Sequence, residues 1–155
     1  MSAASDQLQP LVRRMHHQDI QAVSRIESQS YDFPWSIGIF RDCILAGYVC
    51  LVVEQEGELR GYAILSVAAG EAHVLNICIA PAFRRRGYAL SLLLRLISEA
   101  RRQRVKTMFL EVRPSNLAAT NLYKSIGFSS VGLRRDYYKA AGGTREDALV
   151  LSLAL

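Results

Sequence analysis

The chain has little of what marks a membrane, secreted or metal-bound protein. No apolar run reaches the roughly 18 residues needed to cross a bilayer, and the first residues lack the basic-then-apolar pattern of a secretory signal. A cytoplasmic protein with no membrane partner is therefore expected. Cysteine is scarce: Cys43, Cys50 and Cys78 are an odd number without metal-like spacing. Neither a disulfide frame nor a zinc site is indicated, and no metal is expected. There is no internal repeat, no Pro/Gly/Ser linker and no low-complexity tract. Charged residues make up 21% without a long block of either sign, which argues against wholesale disorder.

What is present suits one compact domain. The 155 residues are half hydrophobic, and two domains of that total length would each bury too little apolar surface. A flexible tail is expected over residues 1–10 and a single domain over 11–155. The formal net charge of +5 rests mostly on arginine. That balance favours anionic company: a phosphate-bearing cofactor, RNA or an acidic surface.

Local patterns give an order of elements. Leu11 to Met15 reads as a short strand, Asp19 as an N-cap, and Ile20, Val23 and Ile26 as one face of a helix. Pro34 breaks that helix, and Ser36 caps a second one through about Ala46. Tyr48–Glu54 and Leu59–Val67 form a hairpin, followed by a strand over His73–Ile79. Beyond Pro81 the period changes: Leu92, Leu93, Leu96, Ile97 and Ala100 mark an amphipathic helix starting near Ala89. A strand over Thr107–Val112, a helix from Asn116 to about Ser125 with Gly127 behind it, and strands Phe128–Arg134 and Ala148–Leu155 complete the chain. The result is an α/β (α+β) protein: a mixed, mostly antiparallel sheet of about seven strands with helices on both faces.

Two segments carry chemistry. The first is Arg84-Arg85-Arg86-Gly87-Tyr88-Ala89, between a strand and the long helix. A helix N-terminus exposes amides without intrahelical acceptors, so it can bind a diphosphate. Gly87 would let the backbone approach, Ala89 would not obstruct, and the arginines add fixed charge. A solvated basic turn that only starts a helix accounts for these residues equally well. No Gly-Lys-Ser/Thr follows, so this is not a P-loop, and a single glycine makes a poor dinucleotide fingerprint.

Arg84, Gly87 and Ala89 fit the coenzyme A motif Gln/Arg-x-x-Gly-x-Gly/Ala, and here the sequence resembles the GNAT acetyltransferase superfamily. The resemblance runs from the first strand to Leu155 and implies the GNAT fold and acetyl-coenzyme A as cosubstrate. It implies that Arg84, Arg85, Arg86, Gly87, Tyr88, Ala89 and Leu90 form the diphosphate site. The pantetheine arm is expected to pair with the backbone of Ile77, Cys78 and Ile79. Tyr88 and Leu90 stand where relatives more often have a small aliphatic and a polar or basic residue, and Pro114 where a small residue is common.

The second segment is Leu110-Glu111-Val112-Arg113-Pro114-Ser115-Asn116, followed by Tyr123. Acetylating an amine needs a neutral nucleophile and a proton for the departing thiolate. A free α-amine titrates near about 8 and a thiol near about 8.5, so modest acid–base help suffices and no covalent cysteine is needed. Glu111 is a carboxylate in an otherwise apolar strand: ordinarily an outward-facing residue, but a general base if burial raises its pKa. Asn116 and Tyr123 are seven apart and share a helix face. Alone, Asn116 is ordinarily a cap and Tyr123 a core aromatic.

Together with Phe33-Pro34-Trp35-Ser36, Gly127-Phe128, Arg135-Asp136-Tyr137-Tyr138 and Arg145-Glu146-Asp147-Ala148, these residues resemble the bacterial RimI-type ribosomal-protein alanine N-acetyltransferases. The resemblance implies Glu111 as general base, Tyr123 as general acid and Asn116 as a coenzyme A contact. It implies, as acceptor, a protein N-terminal peptide, most specifically the N-terminal alanine of a small-subunit ribosomal protein. A small-molecule amine, or a non-catalytic RNA- or ribosome-binding module, are the other readings. Arg101, Arg102, Arg104 and Lys106 read as a solvated helix end that complements the dipole, or else as an RNA contact.

Other residues are not promoted. His16 and His17 lack a third ligand, and Cys78 reads as a small buried hydrophobe. His73 could relay a proton but reads first as structural. Trp35 and Tyr138 line a peptide cleft or plug the core.

Overall fold

The computed structural model describes residues 9–155, so the tail expected over 1–10 lies, except for Gln9 and Pro10, outside the described residues. Seven strands form one sheet in the order β1-β2-β3-β4-β5-β7-β6. These are β1 (Leu11–Arg14), β2 (Val49–Gln55), β3 (Glu58–Ala68), β4 (Glu71–Ile79), β5 (Thr107–Val112), β6 (Ser129–Lys139) and β7 (Arg145–Ala154). Every pairing is antiparallel except β4 with β5. The four helices are α1 (Ile20–Ser30), α2 (Ile37–Leu45), α3 (Tyr88–Arg102) and α4 (Leu117–Ile126).

Side chains alternate across a strand, and here both faces are buried. Leu51, Val53, Ala63 and Leu65 join Leu92, Leu93 and Leu96 of α3 and Tyr123 of α4 in one core. Cys50, Val52, Tyr62 and Ile64 join Val23 and Ile26 of α1 and Phe40 of α2 in a second core on the other face. The long apolar runs of β2 and β3 reflect this double burial. Each fully buried leucine contributes about 2 kcal/mol of transfer free energy.

The helix ends follow their caps. Ser36 Oγ accepts from the Ile39 amide, and Asn116 Oδ1 from that of Ala119. Gly127 closes α4 at φ 120°, a conformation other residues rarely adopt.

Two local expectations are corrected. Asp19 stands at the N-cap position of α1 as expected, but it is αR and its side chain makes no cap hydrogen bond. Its carboxylate instead receives both Nη atoms of Arg13, at 2.8 and 3.0 Å, and the His16 amide at 2.7 Å. An arginine six residues earlier outcompetes the amides of its own helix. The last hairpin is also longer than expected: pairing runs on through Tyr138↔Glu146 and Lys139↔Arg145, leaving a loop of 140–144. The ladder is interrupted between Arg134 and Tyr138. There Asp136 takes φ 53° and its amide turns to Asp147 Oδ1 at 2.9 Å. That irregularity hides the strand from a two-residue periodicity.

Candidate active site

The site arises where the parallel pair comes apart. β4 and β5 are in register from Glu71↔Thr107 to Val74↔Leu110 and no further. Leu75 is the extra residue between Ile64↔Asn76 and Leu65↔Val74, a bulge that bends β4. Beyond it β4 stays with β3 as far as Ile79, while β5 stays with β7 as far as Val112. The strands therefore part, and the edge of β4 over 75–79 has no β5 partner. A cleft of about 540 Å³ opens between them.

Ile77, Glu111, Asn116 and Tyr123 all line this cleft, as do Trp35 and Tyr138. Cys78, Ile79 and the Arg84–Leu90 turn are not in its lining; they lie further along the same strand and the turn after it. Four of the candidate site residues are thus brought together; Cys78 and Ile79 continue β4, and Arg84–Leu90 lie in the turn and helix start after it.

Glu111 leans over the sheet with its side chain 8% exposed. Its Oε2 meets His73 Nε2, and its Oε1 accepts from Arg134 Nη1 at 3.0 Å. Burial pushes its pKa up and is the largest single influence, but the His73 and Arg134 contacts together outweigh it, and the net shift is downward. The expectation that burial raises this carboxyl is corrected: the group is held ionised. Tyr123 is buried on α4, edge-on to Phe128 at 5.8 Å. Burial first, and then Cys78, push its phenol up to about 12, so it keeps its proton at neutral pH. Cys78 is buried in the core on the α1 and α2 face of the sheet.

The Arg84–Leu90 turn has the geometry of an anion cradle. Arg85 and Gly87 take left-handed φ angles of 63° and 86°, and no atom lies within 4 Å of where a Gly87 side chain would begin. The first helical acceptor, the Gly87 carbonyl, takes the amide and hydroxyl of Ser91. The amides of Tyr88, Ala89 and Leu90 therefore precede any intrahelical partner. The side chains divide their labour. Arg84 Nε donates to the Ile79 carbonyl at 3.2 Å, tying the turn to the end of β4. The Tyr88 ring is buried and its hydroxyl donates to Gln55, leaving only its amide for a ligand. Arg85, Arg86 and Leu90 are exposed.

Several site residues escaped the sequence reading. Glu27 is 2% exposed at the cleft floor, where it accepts from Tyr62 Oη, Asn76 Nδ2 at 2.9 Å and the Trp35 amide at 2.8 Å. It holds the loop after α1 against β3 and β4. A signal existed: Glu27 follows Ile20 by seven and Val23 by four, so it falls on the apolar stripe of α1. His73 and Arg134 reach Glu111 from 38 and 23 residues away, and no local pattern announces either. Three of the motif segments also meet. Arg113 Nη1 donates to Glu146 Oε2 at 2.9 Å, Ser115 Oγ to Glu146 Oε1 at 2.8 Å, and the Arg113 guanidinium lies 4.4 Å from the Tyr138 ring centre. This fixes the cleft wall opposite α1. Among the described residues, no three His, Cys, Asp or Glu side chains cluster as a metal site.

A sheet split beside a helix N-terminus with acceptor-free amides is the architecture of an acyl transferase fed by coenzyme A. The sequence pattern of the acetyltransferase (GNAT) family matches residues 20–128; the chain belongs to that family and is an acetyl-coenzyme A-dependent N-acetyltransferase. Within it, the chain is similar to the [ribosomal protein bS18]-alanine N-acetyltransferase of Escherichia coli K12. The two are 38% identical over 137 residues, 88% of this chain and 92% of the relative. The Haemophilus ducreyi enzyme of that name is 33% identical over 145 residues, covering 94% of this chain and 100% of the relative. The crystal structure of the ribosomal-protein-S18-alanine N-acetyltransferase from Escherichia coli superposes with a TM-score of 0.87 at 36% identity, covering 94% of each chain. Among the described residues, no helix is long and apolar enough to cross a membrane.

Proposed function

We propose that this enzyme acetylates the α-amine of a protein N-terminus, specifically the N-terminal alanine of ribosomal protein bS18, with Glu111 as general base and Tyr123 as general acid. The observation that carries the reading is that an ionised carboxylate and a protonated phenol face one cleft between the parted strands. The acceptor class comes from the relatives, which carry that activity in their names over nearly their whole length.

Acetyl-coenzyme A fits the groove that the chain leaves open. The edge of Ile77–Ile79, which no strand pairs, can take a pantetheine arm in place of the Tyr31 hydroxyl that now donates to the Ile77 carbonyl at 3.4 Å, and the amides from Tyr88 to Leu90, with Arg85 and Arg86 beside them, can receive the diphosphate. Asn116 sits at the cleft rim, within reach of the arm. The acceptor amine enters from the side of Trp35 and Tyr138. Its nitrogen attacks the acetyl carbonyl directly. As the N–C bond forms, the remaining N–H protons become acidic, and Glu111, directly or through a water, takes one. The C–S bond breaks, and the Tyr123 phenol gives its proton to the thiolate. The products are an N-acetylated peptide and coenzyme A, and no cysteine is acylated. A carboxylate with lowered pKa is a weak base toward a free ammonium, so its proton transfer is timed to the bond-forming step.

The test is thiol release from acetyl-coenzyme A with peptides beginning in alanine, alongside peptides of other first residues and a panel of small amines. Alanine-first peptides should be consumed, and Glu111→Gln and Tyr123→Phe should each lower kcat by about 100-fold. Turnover of the small amines alone would overturn the acceptor assignment, and full activity in both variants would overturn the acid–base pair.

A further inference from the structure

Glu111 does not stand alone, and the partner that reaches it from β4 has a chemistry of its own. Register sets His73 beside Phe109, and residues two apart on a strand share a face. Glu111 therefore lies on the same face as His73, and its Oε2 meets the ring at Nε2. An ionised carboxylate only accepts hydrogen bonds, so Nε2 carries the hydrogen and donates. Nδ1 is left as the ring's remaining basic atom. The His73 side chain is 34% exposed against 8% for Glu111, so the imidazole is the member of the pair in contact with water. An imidazole is also the side chain that ordinarily changes charge near neutral pH.

We propose that His73 is a positioning residue for acetyl transfer. In its neutral form it aims Glu111 through Nε2–H. When Nδ1 is also protonated, it becomes a second cation on that carboxylate and weakens it as a base. The inference rests on the reading of Glu111 as general base.

The charges around the pair support this role. From β5 the ring faces Glu111 itself. From β6 Arg134 holds the other carboxylate oxygen at 3.0 Å, with the Tyr137 ring 4.4 Å from its guanidinium. Tyr138, also on β6, has its phenol raised by burial first and then by Tyr137 and Glu111. From β3 the register partner is Ser66, which is uncharged. On β4, Glu71 is two residues back and exposed. Glu111 thus faces one permanent cation, Arg134, and the His73 ring, which a second proton would make another. Each cation favours the ionised carboxylate and so opposes its taking a proton from the amine. Two of the carboxylate's roughly four lone-pair positions are held by these partners. The others remain for the acceptor amine or a bridging water.

The experiment measures kcat and KM with an alanine-first peptide from about pH 5.5 to about pH 9 for the wild-type enzyme, His73→Gln, His73→Phe and Glu111→Gln. Ionisation of the acceptor amine is common to all and cancels in the ratio of wild-type to variant kcat. That ratio for His73→Gln, whose amide keeps a donor but cannot titrate, should rise about fivefold or more with pH through the imidazole range. Both KM values should stay within about twofold of wild type. His73→Phe, with no donor, should lose about tenfold in kcat at every pH. A ratio flat across pH, or a loss confined to KM, would overturn the role. An independent readout is the imidazole NMR signal of His73, identified by its absence in His73→Gln. Glu111→Gln should move the Nε2–H resonance upfield, because the charge-assisted hydrogen bond to the carboxylate is gone. An unmoved resonance would overturn the contact. Should Glu111→Gln keep full activity, the general-base reading fails and this inference with it. Should Glu111→Gln be inactive while the His73 ratio stays flat, only His73's role fails.

Discussion

At the scale of single residues, Arg134 shows how one side chain can serve chemistry and stability with opposite sign. It holds the Glu111 carboxyl below its ordinary value of 4.5, together with His73 and against burial. A carboxyl whose folded pKa is depressed stabilises the fold above its unfolded pKa, and that stability is lost as pH falls through the folded value. Arg134→Met should therefore lower the urea midpoint near neutral pH. The gap from wild type should close as pH drops below about 4.5 and Glu111 protonates in both proteins. A gap that persists at low pH would mean that Arg134 acts by packing on Tyr137 instead. In catalysis the same substitution removes the permanent cation, so Glu111 becomes a stronger base that titrates at higher pH. In the ratio of variant to wild-type kcat/KM, where ionisation of the acceptor amine cancels, the variant's acid loss should set in at higher pH. The Arg134 side chain is 52% exposed, so solvent screening keeps the stability change small.

At the scale of elements, β4 must bend at Leu75 and still end close against β3, and Gly61 permits the second requirement. A Cβ there would lie 2.5 Å from the Cys78 carbonyl oxygen and 2.5 Å from Ile79 Cδ1. The first of these is backbone and cannot rotate away. Gly61→Ala should displace the stretch of β4 that the pantetheine arm is proposed to follow. We expect a loss of about 1–3 kcal/mol in stability and a rise of about fivefold in the KM for acetyl-coenzyme A, with peptide KM little changed. Loss of stability alone, with KM unmoved, would place the arm elsewhere. Asn116→Ala removes a side-chain acceptor from the first turn of α4 and should cost about 1 kcal/mol. Most of these elements were legible because their signals are local. The 3,4 spacing of Leu92, Leu93, Leu96 and Ile97 marks α3, and the span Thr107–Val112 is both expected and observed for β5. Asp19 holds the N-cap position without a cap hydrogen bond because its carboxylate goes to the Arg13 guanidinium instead. The second half of the last hairpin was missed because the irregularity at Asp136 breaks its period.

At the scale of the whole molecule, function sits where the topology has a discontinuity. The antiparallel half, β1 to β4, carries α1 and α2 on one core. The half from β5 on joins it through a parallel pair that holds for only four residues. The last paired residues bring Glu111 near His73, and the parting that follows opens the cleft on which Glu111 and Tyr123 lie. Sequence motifs indicate Glu111 and Tyr123 but not their neighbours, because a contact across 38 residues leaves no trace in either segment. Charge is global too: the net +5 and the exposed Arg85 and Arg86 before α3 suit a cosubstrate that carries several phosphate charges, which they are proposed to face. A positive field of this kind raises the encounter rate with an anion and is screened by salt. Raising ionic strength from about 0.05 M to about 0.5 M shortens the screening length from roughly 14 Å to roughly 4 Å. We therefore expect kcat/KM for acetyl-coenzyme A to fall about tenfold over that range, while kcat at saturation changes little. In Arg85→Gln/Arg86→Gln the same salt series should be markedly shallower, because the screened charges are gone. A series as steep as wild type would assign the attraction to the arginines at the far end of α3, and the cradle before it would then act through its amides alone.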